Sequence, residues 1–250
     1  MITLKTKNEI LKMKKAGELL ALCHKEIRKL ICPGISTLEI DRFAEDFIIK
    51  NGATPEQKGY SGYPFAICAS VNDTICHGFP NKEPLADGDI IGIDMVVNLD
   101  GWLADSAWSY AVGNINDEAR KLLDITKQLL YKGIEKAVIG NRIGDISNII
   151  QTIAEANGYS VVRDFIGHGI GKLMHEDPQV PHFGPAGRGP RIMEGMVFTI
   201  EPMINIGRHE LTIDKSNGWI ARTKDGSLSA QYEHTIAITN NGPLILTEQD

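Results

Sequence analysis

The chain has 250 residues, of which 42% are hydrophobic and 23% are charged, a composition typical of soluble globular proteins. Its formal net charge of −6 argues against nucleic acid as the main ligand. The sequence shows neither a long apolar run nor an apolar segment near its start, so we predict no membrane span, no signal peptide and a cytoplasmic location. The four cysteines form no CxxC pair, which favours reduced thiols.

The first quarter of the chain has the pattern of two helices. Residues 8–30 carry apolar side chains at helical spacing, and the CPG sequence at 32–34 ends that stretch. Ser36 or Thr37 can begin a second helix, because Glu39 lies where a capping box needs a carboxylate. This helix is predicted to run to the Asn51-Gly52 pair.

The remaining elements follow in the order strands, helices, strands. Residues 59–80 are rich in glycine and aromatic residues and predict short strands and loops. Strands at 90–99 and 102–112, joined by Asp100-Gly101, predict a hairpin. Two helices fill 117–158, and further strands are expected at 161–166, 196–206, 220–222 and 232–238. This order is typical of an α+β fold with helices on one face of a mainly antiparallel sheet.

Two parts of the sequence repeat each other weakly. DGDIIGIDM at 87–95 matches EGMVFTIEPM at 194–203, which places Glu201 where the first copy has Asp94. The helical segments at 40–52 and 146–158 match at nearly the same offset. We therefore expect one domain over 1–250 built from two halves, roughly 1–112 and 113–250, related by a pseudo-twofold axis with a site between them.

The predicted hairpin brings two carboxylates together. A two-residue turn pairs Val96 with Asp105, so Asp94 and Asp105 are diagonal neighbours on one face of the hairpin. Two carboxylates at that spacing can share a cation, although two solvated hairpin acids remain an alternative. Because a buried unpaired charge is costly, apolar neighbours favour the metal interpretation.

Three further residues complete a candidate ligand set. Glu201 repeats Asp94 in the second half, and Pro202 beside it predicts an edge or a bulge. Glu233 lies at the start of the last long strand, where it could instead be a charge that protects a strand edge. His168 lies between glycines, and a lone histidine is more often structural. Four carboxylates and an imidazole favour Mn, Fe(II) or Co, with Zn also open, and two such ions would acidify a water for hydrolysis.

Longer motifs resemble those of the type I methionine aminopeptidases, compact members of the pita-bread metallopeptidase family. The resemblance covers nearly the whole chain and rests on five segments: SGYPFAICASVNDTICHG, IGIDM with Asp105 eleven residues after Asp94, GHGIG followed by HEDPQVPHF, FTIEPM, and SLSAQYEHT. It implies the pita-bread fold and hydrolytic removal of the initiator methionine from new chains, with a small second residue favoured.

The resemblance also implies roles for individual residues. Asp105 and Glu233 would bridge two divalent metal ions, with Asp94 completing one site and His168 and Glu201 the other. Glu201 would also be the general base, and His77 and His175 would bind the scissile amide. The methionine side-chain pocket is expected to be lined by four residues: Tyr60, Tyr63, Cys68 and Trp219. Without the resemblance, these four would be interpreted as packing residues.

The sequence departs from the family pattern at a few positions. Val96 replaces a frequent threonine, Leu103-Ala104 a frequent His-Gly, Gln57 a pocket cysteine, and Met174 a pocket aromatic residue. These changes put the turnover rate and the width of the substrate-binding pocket in question. No expected ligand is missing.

Two other functions fit a fold of this kind. A non-catalytic partner-binding protein should have lost metal ligands, whereas this chain keeps all five. A related hydrolase that cleaves before proline usually carries an additional N-terminal domain, for which this chain has no room. We therefore expect a methionyl aminopeptidase that acts on peptide or nascent-chain N-termini, with possible transient ribosome contact, no membrane partner and a monomeric state.

Overall fold

The computed structural model describes residues 1–249. Within them, four α-helices are present: α1 (Lys7–Leu30), α2 (Thr37–Lys50), α3 (Asp117–Lys136) and α4 (Ile143–Ala156). The same residues form fifteen mostly short strands: β1 (Thr54–Pro55), β2 (Cys68–Val71), β3 (Thr74–Cys76), β4 (Ile90–Leu99), β5 (Trp102–Ala111), β6 (Ser160–Val161), β7 (Gly167–Gly169), β8 (Glu176–Val180), β9 (Val197–Ile200), β10 (Met203–Asn205), β11 (Leu211–Ile213), β12 (Ala221–Thr223), β13 (Ser229–Gln231), β14 (His234–Thr239) and β15 (Gly242–Ile245).

The helices begin where the sequence supplies a cap. Ser36 accepts a hydrogen bond from the backbone N–H of Glu39, whose carboxylate accepts one from Ser36 in return, as the predicted capping box requires. Thr6 and Glu9 form the same arrangement at the start of α1. None of the helices in residues 1–249 combines the length and apolar character that crossing a membrane would need.

The β4–β5 hairpin has the predicted register. Leu99 pairs with Trp102 across the Asp100-Gly101 turn, Val96 pairs with Asp105, and Asp94 pairs with Ala107. Asp94 and Asp105 therefore lie diagonally on one face. The α+β prediction is confirmed, because every strand pair among the described residues is antiparallel and the helices pack against these sheets.

The second half has shorter strands than predicted. Residues 161–166 are not one strand, because only β6 pairs there and the chain then crosses to β7 in another sheet. The predicted strand at 196–206 is broken into β9 and β10 at Glu201 and Pro202, and β13 and β14 flank Tyr232 and Glu233. At the first break the chain passes from the five-stranded sheet of β15, β14, β9, β7 and β8 to the three-stranded sheet of β13, β10 and β6, and at the second break it returns.

One large core holds the helices to the sheets. It contains Leu20 of α1, Ile93 of β4, Leu122 of α3 and Phe198 of β9, all fully or almost fully buried. A second cluster lies beside the candidate site and includes Met13, Val96, Leu103 and Met174. The helices thus fix the backs of the strands, and the candidate metal ligands lie within β4, β5 and β7 and at the breaks beside β9 and β14.

Candidate metallopeptidase site

A single cavity of about 170 Å³ collects the predicted site residues. Its lining contains all twelve residues singled out from the sequence: Tyr60, Tyr63, Cys68, His77, Asp94, Asp105, His168, Met174, His175, Glu201, Trp219 and Glu233. They come from both predicted halves of the chain. The cavity therefore lies where the middle of β4, β5 and β7 meets the end of β9 and the segment before β14.

The four carboxylates at this site are poorly solvated, and three of them have an oxygen without a hydrogen-bond donor. Asp105, Glu201 and Glu233 are buried, and one oxygen each of Asp94, Asp105 and Glu233 is buried with no hydrogen-bond partner. Loss of solvent and the charge of Asp105 raise the pKa of Asp94 and of Glu233 well above their ordinary values. Oxygens that face each other without donors are the environment in which a bound cation gains most.

His168 presents one ring nitrogen to these carboxylates. Its Nδ1 lies 3.0 Å from the carbonyl oxygen of Gly169 and must donate to it, which directs Nε2 into the cavity. Nε2 is 3.6 Å from Asp105 Oδ2 and 3.7 Å from Glu201 Oε1. Burial opposes the charged ring, but the neighbouring carboxylates of Asp105 and Glu201 outweigh it and raise the pKa of His168 to about 9.

The geometry fits a divalent cation. Possible ligand atoms of Asp105, His168 and Glu233 all lie within 4.8 Å of one another. Nitrogen and oxygen donors at about 2.0–2.2 Å from one ion have mutual distances in this range. The oxygen-rich donor set and the unpartnered carboxylate oxygens therefore suit a divalent cation held by these three residues. Asp94 and Glu201 border this group in the same cavity.

Glu201 is held in place by neighbours that the sequence did not single out. Thr199 donates its hydroxyl to Glu201 Oε1 at 2.9 Å, and the Gln231 amide reaches Oε2 at 3.4 Å. The backbone N–H of Glu201 donates to Nε2 of the fully buried His182. Burial is the main reason that the pKa of Glu201 is raised to about 7, and the nearby charge of His168 works against it.

His77 and His175 face the cavity from opposite halves. The His77 backbone has a φ of 56°, rare for a residue other than glycine, and no hydrogen bond joins its ring to any residue in 1–249. Burial, then the neighbouring His175, lower the pKa of His77 to about 4. His175 is exposed at the rim, and its Nδ1 lies 2.8 Å from the hydroxyl of Tyr60.

The side-chain pocket contains aromatic rings and sulfur. The Tyr63 ring packs edge-on against Trp219 with centroids 5.1 Å apart, and its hydroxyl donates to the carbonyls of Ile67 and Gly78. Cys68 is buried beside them and accepts a hydrogen bond from the Gln57 amide at 3.1 Å. Tyr60, by contrast, contacts His175 rather than this aromatic group.

The departures from the family pattern are connected in space. Gln57 accepts a hydrogen bond from the Val96 backbone N–H at 3.2 Å, and Val96, Leu103 and Met174 belong to the same buried cluster. Cys76, Phe165, Ile166, Met203 and Gln231 also line the cavity, although sequence reasoning did not select them. Their residue types carry no signal of catalysis, so only the tertiary structure shows that they line the cavity.

A cavity of carboxylates and imidazoles on an α+β frame defines a class of metal-dependent hydrolase. The model of metallopeptidase family M24 matches residues 11–240, and the chain belongs to this family. The chain is 54% identical to a methionine aminopeptidase of Clostridium perfringens over 248 residues, which are 99% of each chain. It is 50% identical to methionine aminopeptidase 1 of Bacillus subtilis, again over 99% of each chain.

Solved structures of relatives have the same fold. The methionine aminopeptidase of Rickettsia prowazekii matches with a TM-score of 0.98 and 42% identity, covering 99% of this chain and 100% of that one. The prolidase of Pyrococcus furiosus matches with a TM-score of 0.76 and 23% identity, and the match covers 99% of this chain and 66% of that one. The second likeness shows the shared pita-bread fold.

Proposed function

We propose that this metallopeptidase removes the N-terminal methionine from peptides and nascent proteins, favouring a small second residue. The observation that carries the proposal is one cavity lined both by four carboxylates with His168 and by the apolar group of Tyr63, Cys68 and Trp219. An unbranched thioether side chain suits such an apolar pocket, and the acidic group lies next to it. The full-length likeness to methionine aminopeptidases supports the same substrate.

Five residues would hold two divalent ions: Asp94, Asp105, His168, Glu201 and Glu233. Such ions supply Lewis acidity and make a water nucleophilic near neutral pH. Asp94, Asp105 and Glu233 each offer a buried oxygen that no hydrogen bond satisfies, and the family resemblance implies that Asp105 and Glu233 would be shared by the two ions. Mn, Fe(II) or Co suit this oxygen-rich set best, with Zn also possible.

The remaining polar residues bind and orient the peptide. Tyr60 can donate its hydroxyl to His175 Nδ1, which leaves the proton of His175 on Nε2 for donation into the cavity. His77 and His175 stay neutral near pH 7, because the loss of solvent on the cavity side of each ring, and then His175 for His77 and His168 for His175, lower the pKa of each. Both can therefore donate an N–H to the scissile amide, and the contact strengthens as its oxygen gains charge. Glu201 is the proposed acceptor of the proton released during hydrolysis.

Peptide hydrolysis by the metal-reloaded protein tests this function. Methionine should be released from Met-Ala-Ser faster than norleucine, leucine or lysine from matched peptides. A hydrophobic pocket discriminates by only about 1–3 kcal/mol per methylene, so we expect norleucine to be released as well, although more slowly than methionine. Faster release of leucine or lysine would contradict the proposal.

A peptide with proline in the second position distinguishes the proposed function from the alternative of a hydrolase that cleaves before proline. We expect Met-Ala-Ser to be cleaved in preference to Met-Pro. Preference for the bond before proline would assign the chain to the prolidase-like activity instead. A cytoplasmic location, transient ribosome contact and a monomeric state remain predictions from the sequence.

A further inference from the structure

A buried ion pair lies directly behind the loop that carries His175. Lys5 Nζ lies 2.5 Å from Glu176 Oε2, and the two side chains are only 3% and 14% exposed. Exposed ion pairs contribute little to stability or order, whereas a shielded pair holds its partners in one geometry. Glu176 follows His175 in the chain, so the pair acts on the backbone next to that imidazole.

Glu176 also closes the loop from within. Its Oε1 accepts hydrogen bonds from the backbone N–H groups of Lys172 and Leu173, at 3.1 and 3.3 Å. One carboxylate therefore binds the start of the turn through one oxygen and Lys5 through the other. We call residues 171–176 the histidine loop.

The first residue of the histidine loop packs tightly against this ion pair. The carbonyl of Gly171 accepts the backbone N–H of Leu103 in β5 at 2.9 Å. A Cβ at Gly171 would lie 2.7 Å from both Glu176 Oε1 and Lys5 Cε. A larger side chain at this position would displace the ion pair.

Lys5 itself belongs to a segment fixed elsewhere in the fold. Its backbone N–H donates to the carbonyl of Gly195 at 2.7 Å, and its Nζ also reaches the carbonyl of Thr3 at 3.3 Å. Lys5 precedes α1 and lies outside the site cavity. Lys5 therefore connects the segment just before β9 with the histidine loop.

We propose that Lys5 and Glu176 are positioning residues that set His175 and Met174 in the site. This inference rests on the proposed function, since it assigns the purpose of His175 from the peptide-binding role above. Met174 is buried in the cluster of Val96 and Leu103, while His175 projects to the rim, so the loop directs its neighbouring side chains to different walls. The ion pair holds the turn that places Met174 and His175 on these different walls.

The test compares four variants of the full chain: Lys5→Met, Lys5→Arg, Glu176→Gln and Lys132→Met. Lys132 pairs with Glu135 on the surface, so Lys132→Met is a matched loss of one lysine ion pair away from the site. For each, kcat and KM on Met-Ala-Ser are measured after metal reloading, well below its melting temperature. Histidine ring resonances of the metal-free proteins are recorded by NMR, with His175→Ala providing the assignment.

We expect Lys5→Met to lower kcat roughly 10- to 100-fold with a smaller change in KM, because a displacement of about 1 Å can cost 10²-fold. Its His175 resonances should shift. Lys5→Arg should recover most of the loss, since it keeps the charge. Glu176→Gln should also lower kcat and shift the His175 resonances, whereas Lys132→Met should match the parent in both.

The inference would be overturned if Lys5→Met left both kcat and the His175 resonances unchanged, even if its melting temperature fell. If Lys5→Met does not fold, the same criterion applies to Glu176→Gln. Absence of methionine release by the parent would instead refute the proposed function. In that case the NMR comparison still decides whether the ion pair positions His175.

Discussion

The carboxylates of the site are the residues whose environment is least favourable without a cation. Three of them have a buried oxygen without a donor, and the pKa values of Asp94 and Glu233 are raised, by burial first and by the Asp105 charge next. Metal binding would compensate both the repulsion and the missing hydrogen bonds. Removing one of these charges should therefore stabilise the metal-free protein but weaken its binding of metal.

Glu233→Gln tests this opposition, and Asp105→Asn should behave alike. Each change removes a proposed bridging charge while nearly keeping the shape of the side chain. We expect weaker metal binding and lower activity together, but a higher melting temperature of the metal-free protein, because buried like charges no longer repel. Calorimetric titration with Mn and thermal melts measure the two effects. A variant that binds two ions as tightly as the parent would refute the bridging assignment.

His77 and His175 separate catalysis from metal binding. Neither belongs to the proposed ligand set, yet both line the cavity. His77→Ala and His175→Ala should keep the metal content and the fold but lose about 10²–10³ in kcat, the usual effect of removing one oxyanion donor. The change in KM should be modest.

The measurement is kcat, metal content and melting temperature on the same preparations. If either histidine is only structural, its loss lowers the melting temperature and leaves specific activity intact. That result would exclude the catalytic role for the residue concerned.

At the scale of single elements, α1 couples the helical layer to the hairpin through a buried histidine. His24 is fully buried, with Nδ1 2.9 Å from the Tyr110 hydroxyl and Nε2 3.1 Å from the Ser106 carbonyl. Burial lowers the pKa of His24 to about 4 from its ordinary value of 6.5. The folded protein thus keeps this ring neutral in a pH range where the unfolded chain protonates it.

This difference predicts how stability depends on pH. Between pH 6.5 and about 4 the unfolded state binds one more proton at His24, so the free energy of unfolding falls as the pH falls through this window. The slope from one such group is about 1.4 kcal/mol per pH unit. Above pH 6.5 His24 contributes no pH dependence.

His24→Gln should flatten the curve by that amount, since glutamine can hydrogen-bond the same partners without titrating. Urea unfolding of the metal-free proteins at several pH values measures it. Other buried groups titrate in both proteins and cancel in the difference. Parallel curves for parent and variant would mean that His24 is not the titrating group.

At the scale of the whole molecule, the site joins the two predicted halves. Asp94 and Asp105 come from the first, and His168, Glu201 and Glu233 from the second. The helices α2 and α4 each have 14 residues, and their first residues, Thr37 and Ile143, are 106 positions apart, near the offset of the sequence repeat. The division at about residue 112 stays a prediction, which these matched bounds support.

Metal removal is therefore expected to loosen the molecule as well as stop hydrolysis. A ligand that binds only the folded state raises stability by about 2.7 kcal/mol at 100 times its Kd. Chelation should abolish activity and lower the melting temperature, and Mn, Co or Fe(II) should restore both. Full turnover by protein shown to be free of metal would contradict the metal-dependent mechanism.

Local sequence determined much of this protein. Hairpin register follows from a two-residue turn and a side-chain period of two, so the diagonal placement of Asp94 and Asp105 was predictable from the letters alone. The capping boxes that start α1 and α2 are also local, because their partners are three residues apart. The family motifs carried the remaining site residues.

Tertiary structure decided which sheet each broken strand joins and what supports the site. Pro202 is a local signal for the interruption at Glu201, but no local pattern encodes the change of sheet there or at Glu233. Contacts that support the site join residues distant in sequence: His182 with Glu201, Tyr60 with His175, and Lys5 with Glu176. Lys5 and Glu176 are separated by 171 positions. Such contacts arise only when the whole chain packs, because their free energy comes from burial that the local sequence does not specify.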